Sequence, residues 1–154
     1  MSLSVSAPEP GQSAPSQAEI AARTHTLHVW VQPEDIDDLG HVNNVVYLTW
    51  CELVARAHSD RVGMTLPRLF ELGTVAVARR HDITYHIPAL LGDEVEVCTN
   101  LVSSRGIRAR REYTLTRVSD HKRLAECVTD WVWVDPVSGR PKRPAAEILA
   151  AFGF

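Results

Sequence analysis

Residues 34–63, "EDIDDLGHVNNVVYLTWCELVARAHSDRVG", change character at Asn44. The first eleven residues carry three aspartates, a glycine, a histidine and two asparagines, whereas no proline or glycine falls between Asn44 and Val62. In that second part Tyr47, Trp50, Cys51, Val54 and then Ala57 or His58 recur at the spacing of one helical face. The pattern predicts a helix of about 19 residues, roughly 28 Å long, stopped at Gly63. Its first half is apolar on nearly every side. Such a helix needs burial all round, which a sheet wrapped about it would supply.

The flanking sequence supplies that sheet. "HTLHVWV" (25–31) sets Leu27, Val29 and Val31 on one face at period two, and Pro33 closes the strand. "LPRLFELG" (66–73) has the marks of a short helix, with Pro67 in its first turn and Gly73 after its end. Four strand patterns follow, "TVAVARRHDITYHI" (74–87), "EVEVCTNLVS" (94–103), "IRARREYTLTRV" (107–118) and "RLAECVTDWVWV" (123–134), joined by segments rich in turn formers. Trp131 to Val134 lose polar alternation, so both faces there are expected to be covered, one by the helix and the other by a second subunit. A short helix is expected after Pro144. The order of elements gives an α+β fold, a curved antiparallel sheet of about five strands around one long helix.

Bulk properties narrow the function. The chain has 154 residues, 45% of them apolar, enough for one domain with a real core, expected over 23–154. Residues 1–22, rich in Ser, Pro, Ala and Gln, read as a disordered tail, and they lack the basic start and apolar core of a signal peptide. A net charge of -3 without charge blocks gives no support for nucleic-acid or anionic-membrane binding, and no segment has the apolar length of a membrane span. The three cysteines, Cys51, Cys98 and Cys127, are widely spaced and odd in number, which implies free thiols and a cytoplasmic setting.

Three readings compete for the loop. A calcium loop would use Asp35, Asp37 and Gly40 at positions one, three and six, but position five is Leu39 and position twelve is Val46, where a bidentate glutamate belongs. Zinc fares no better, because His25 and His28, like His81 and His86, would point to opposite faces of strands. No metal or other cofactor is expected. A helix cap explains Asn43, whose side chain suits the first free N–H groups at about 1 kcal/mol. One cap needs one side chain, and the loop has six polar ones. The third reading uses the helix start itself: free N–H groups and a partial positive charge can stabilise a developing oxyanion while a carboxylate seven residues upstream faces the carbonyl.

The residues "DIDDLGHVNNVVYLTWCE" resemble the signature D-x-D-x-x-G-H-V-N-N-x-x-Y of hotdog-fold thioesterases of the 4-hydroxybenzoyl-CoA thioesterase and acyl-ACP thioesterase type. "ITYHIPALLGDEVEV" resembles the family's Y-x-x-P-x-x-x-G-D-x-V segment, and "WVWVDPVSGRP" its last strand and turn. The resemblance spans residues 25–144. It implies a hotdog fold, obligatory homodimers or homotetramers, and hydrolysis of an acyl-CoA, or of an acyl group on a carrier protein, to the free acid.

Carried onto this sequence, the resemblance makes Asp37 the catalytic carboxylate, acting as nucleophile or as general base on water. The Asn44 backbone N–H would polarise the thioester carbonyl. His41 and Asn43 match the H-V-N-N of the acyl-ACP branch, His41 either joining the site or orienting the loop. That branch has an asparagine two residues after the aspartate, where this chain has Leu39, so an Asp-Asn-His trio does not carry over. Asp35 reads as a turn former, and Glu52 as a solvated glutamate or a residue facing a neighbouring subunit's site. Tyr47, Leu48, Leu69 and Phe70 would shape the acyl pocket. Ser103, Ser104, Arg105 and Arg108, with Arg110, Arg111, Arg79 and Arg80, could hold the phosphates of coenzyme A. Cys51 has no basic neighbour to activate it. Two rivals remain: a hotdog hydratase or dehydratase, whose D-x-N-P-x-H pattern is missing here, and a non-catalytic acyl-CoA-binding protein.

Overall fold

The computed structural model describes residues 13–154. Its elements are α1 (Gln17–Arg23), β1 (Thr24–Trp30), α2 (Asn44–Arg61), α3 (Leu66–Glu71), β2 (Val75–Tyr85), β3 (Glu94–Arg105), β4 (Arg108–Arg117), β5 (Arg123–Val134) and α4 (Ala146–Ala151). The five strands form one antiparallel sheet in the order β1-β3-β4-β5-β2. This is the α+β arrangement expected from the sequence, a five-stranded sheet with one long helix on its inner face. The order adds what the pattern could not give: β2 lies at the sheet edge beside β5, the last strand of the chain.

The inner face follows from alternation. On β4, Ala109, Arg111, Tyr113 and Leu115 are buried while Arg108, Arg110 and Glu112 are exposed. The buried stripe of α2, Tyr47, Trp50, Cys51, Val54, Ala55 and His58, packs onto this face with Val95, Val97, Leu124 and Cys127. Each fully buried aliphatic side chain contributes about 1.5–3 kcal/mol. A second apolar group, Met64, Leu69, Leu101, Trp133, Ile148 and Phe152, closes the far end of the helix beneath α3 and α4.

Two expectations are corrected. Within one chain α2 is not buried all round: Val45 and Leu53 are 69% and 50% exposed, because the sheet covers only one side of the helix. The supposed tail is structured from Ser16 onward. Ser16 and Glu19 form a reciprocal cap on α1, Arg23 donates to the Gly153 carbonyl at 2.6 and 3.0 Å, and Arg61 donates to the carbonyls of Ala21 and Thr24. Gly153 is required at this junction, since its φ is +86° and a Cβ would stand 2.6 Å from the Glu19 carbonyl oxygen. The remainder of the expected tail, residues 1–12, lies outside the described residues. At the end of β5, Trp133 and Val134 are buried within one chain, and Trp131 and Val132 are partly exposed in it.

Candidate active site

The polar loop folds as a miniature hairpin. Ile36 and Val42 pair as an isolated bridge, the Asp37 N–H donates to the His41 carbonyl at 2.9 Å, and Gly40, at φ +76°, turns the chain with its N–H donating to the Asp37 carbonyl. Asp35, Asn43 and Val42 hold the loop in place. Asp35 accepts the Gln32 N–H on its carboxylate and the Asn43 N–H on its carbonyl, which is the turn-forming role. Asn43 caps α2, its Oδ1 accepting the Val45 N–H at 3.0 Å. Val42, buried, donates its N–H to the Ala89 carbonyl and so anchors the loop to residues 88–93.

Asp37 is half-buried, and its Oδ1 accepts the Leu39 N–H at 2.9 Å. Among the described residues its other carboxylate oxygen has no partner. The Asn44 N–H likewise has no acceptor among them, while the Asn44 carbonyl accepts the Tyr85 hydroxyl at 2.8 Å. An 18-residue helix thus begins with an uncommitted amide and its positive dipole end, seven residues after a carboxylate with a free oxygen. His41 is exposed, and its ring makes no hydrogen bond among the described residues.

Tyr47 takes a different place from the one expected. It is 2% exposed, its hydroxyl accepts the Ala89 N–H at 2.8 Å, and its ring meets Tyr85 edge-on at 5.2 Å. It supports the loop from beneath rather than lining an open pocket. Tyr85, which the sequence reading missed, clamps the first turn of α2 to the edge strand.

A cavity of about 200 Å³ lies elsewhere, between the second half of α2 and the inner face of the sheet. Glu52 and Arg56 stand among its lining residues with Leu69, Arg111, Trp131, Trp133 and Phe152. Of the residues expected to shape an acyl pocket, only Leu69 is there, and Phe70 is exposed. Glu52 is eight residues from Asn44, roughly 12 Å along the helix.

The arginine cluster divides. Arg79, Arg80, Arg108 and Arg110 come together with Ser103 and Asp130 in a groove on the outer face of the sheet. Asp130 lies 3.5 Å from Arg110, and Asp82 lies 3.6 Å from Arg80. Arg111 faces inward and leaves the group. Ser104 also faces inward, accepting the Trp133 indole N–H at 3.4 Å, and Arg105 is exposed at the β3–β4 turn. Cys51 is buried; a hydrogen bond with the Cys127 thiol, then burial, hold it well above the ordinary thiol range, which removes it as a nucleophile. Among the described residues no three His, Cys, Asp or Glu side chains gather to hold a metal ion.

Residues 31–152 match the family model of the thioesterase-like superfamily. The chain belongs to that superfamily. It is similar to a chloroplastic acyl-acyl carrier protein thioesterase of Arabidopsis thaliana, with 22% identity over 129 residues, 84% of this chain and 68% of that protein. Its fold matches a 1,4-dihydroxy-2-naphthoyl-CoA thioesterase from Synechocystis at a TM-score of 0.76 and 18% identity, covering 84% of this chain and 95% of the other. A Staphylococcus aureus protein characterised in complex with CoA matches at a TM-score of 0.77 and 18% identity, covering 84% of this chain and 81% of the other. Thioesterases of this superfamily share the hotdog fold, and this chain has it. No helix among the described residues is long and apolar enough to cross a membrane.

Proposed function

We propose that this thioesterase-like protein hydrolyses an acyl-CoA thioester to the free acid and CoA. The observation that carries the reading is the Asn44 N–H at the start of α2, on the same short loop as Asp37, with neither that amide nor the second Asp37 carboxylate oxygen partnered among the described residues. The amide would hold the carbonyl oxygen as negative charge develops on it, and Asp37 would attack the carbonyl carbon or take a proton from the attacking water.

A homodimer completes the site. Strand β2 is a sheet edge with Val77–Asp82 continuously exposed, and such an edge seeks a partner. Antiparallel pairing of β2 with its own copy about residue 80 sets Tyr85, and with it the Asn44 helix start, opposite Val75 of the partner subunit. Val75 lines the cavity. Each cavity therefore receives the catalytic loop of the other subunit, which also accounts for the exposed Val45 and Leu53 on α2. The outer groove of Arg79, Arg80 and Arg108 would hold the CoA phosphates.

The test is thiol release from benzoyl-CoA, 4-hydroxybenzoyl-CoA and straight-chain acyl-CoAs from acetyl to palmitoyl, with wild type and Asp37→Asn. Hydrolysis that depends on Asp37 is the expected result. Binding without hydrolysis of any thioester would leave an acyl-CoA-binding protein instead.

A further inference from the structure

Among the described residues Arg111 is a buried cation without an anion. It is 6% exposed, and its Nη1 donates to the His58 Nδ1 at 2.7 Å and to the Thr99 hydroxyl at 3.3 Å. Among the described residues its Nε and Nη2 find no acceptor, and no carboxylate forms a salt bridge with it. His58 supplies no charge. Its Nε2 lies 2.6 Å from the Ala22 carbonyl, so Nε2 carries the hydrogen and Nδ1 accepts, which is the neutral imidazole. Arginine stays protonated, and a charge removed from water is costly unless paired. The carboxylate that acts on it from a distance is Glu52, exposed on α2.

A second donor in the same cavity wall is also unmet. Trp131 stands on β5 opposite Ala109, and its indole N–H is buried with no acceptor among the described residues. Around these donors the walls are Met64, Leu69, Trp133 and Phe152. The cavity, about 200 Å³, exceeds the roughly 150 Å³ that accommodates benzene in a protein interior, so it holds one ring with a small substituent.

We propose that this cavity binds the acyl group of the substrate, and that the group carries a carboxylate at the end remote from the thioester, held by Arg111 with the Trp131 N–H as second donor. The substrate class is then a half-thioester of a dicarboxylic acid the size of one substituted ring. The reaction rests on the thioesterase reading above, but the binding claim can be tested without it. Its acceptor-rich end satisfies the two donors, and its ring packs between Trp133 and Phe152.

The experiment compares monomethyl terephthalate with methyl 4-methylbenzoate by NMR, following the indole N–H signals of the four tryptophans, with Trp131→Phe assigning the relevant one. The acid should shift the Trp131 signal and bind at least about tenfold tighter than the neutral ester, the margin of a charge-assisted hydrogen bond. In Arg111→Gln the margin should fall to about one. Equal affinities in the wild type overturn the proposal with no variant needed, and so does a Trp131 signal that neither compound moves. The kinetic arm compares 4-carboxybenzoyl-CoA with 4-methylbenzoyl-CoA. A kcat/KM ratio of about ten or more supports the proposal, and a ratio near one overturns it. Selective binding of the acid with no hydrolysis of any thioester would sink the hydrolase reading and leave the anion site standing.

Discussion

The Tyr85 hydroxyl donates to the Asn44 carbonyl at 2.8 Å, joining the edge strand to the first turn of the long helix across 41 positions of sequence. In the proposed dimer the same side chain stands at the strand junction, so the bond sets the angle at which the helix start meets the other subunit's cavity. Tyr85→Phe deletes the bond and keeps the ring against Tyr47. It should lower stability by about 1 kcal/mol in urea titration and kcat by about tenfold. A loss of stability with kcat unchanged would confine Tyr85 to stapling.

Asp37→Asn should lower kcat at least about a hundredfold in the thiol-release assay. The loop should survive, because an asparagine Oδ1 can still accept the Leu39 N–H that Asp37 now accepts. Glu52 is the control, being the exposed carboxylate among the cavity residues. Glu52→Gln should cost less than about tenfold in kcat, and the opposite ranking of the two variants would move the chemistry onto the helix.

The His58 imidazole is pushed down to about 4, first by burial, with Arg111 and Arg61 acting in the same direction. A histidine whose folded value lies below its ordinary 6.5 takes up a proton more readily when the chain unfolds. Its contribution to stability is complete above about pH 6.5 and is lost as the pH falls toward 4. His25, stacked on His58 at 6.1 Å and lowered chiefly by burial, has the same sign, whereas exposed His28, raised by its hydrogen bond to Glu94, has the opposite one. Between pH 7 and pH 5 the wild type should lose about 2 kcal/mol through His58, and the loss should shrink in His58→Gln when urea midpoints are compared at the two values.

The helix and its cap were legible because both are local. "NN" before a run without proline or glycine specifies the Asn43 cap, and the inward faces of β3, β4 and β5 follow the alternation that the sequence displays. That alternation also held a signal left unused: in "IRARREY" period two places Ala109, Arg111 and Tyr113 on one face and Arg108 and Arg110 on the other, so a single arginine cluster could not survive folding. The spacing of Ser16 and Glu19 was likewise a capping-box signature inside a segment whose composition suggested disorder. The Tyr85–Asn44 bond, the pairing of β2 with β5 and the His58–Arg111 contact join positions 41, about 50 and 53 residues apart. No local pattern encodes such pairs, and they decide where the site lies.

The proposed two-subunit site has a quantitative consequence. Asp37→Asn disables the loop, and Ala76→Trp fills the cavity that Ala76 lines. Each homodimer should be nearly inactive. When the two chains are co-expressed and mix at random, half of the dimers carry one copy of each. In such a dimer one site combines both defects, and the other combines the intact loop of one subunit with the intact cavity of its partner. The mixture should therefore recover about a quarter of wild-type activity, which is half of the dimers with one of two sites intact. If each loop served the cavity of its own chain, every site would carry one defect and mixing would restore nothing. Activity of the purified heterodimer, tagged differently on each chain, measures the difference directly, with about half of the wild-type rate expected for the shared arrangement.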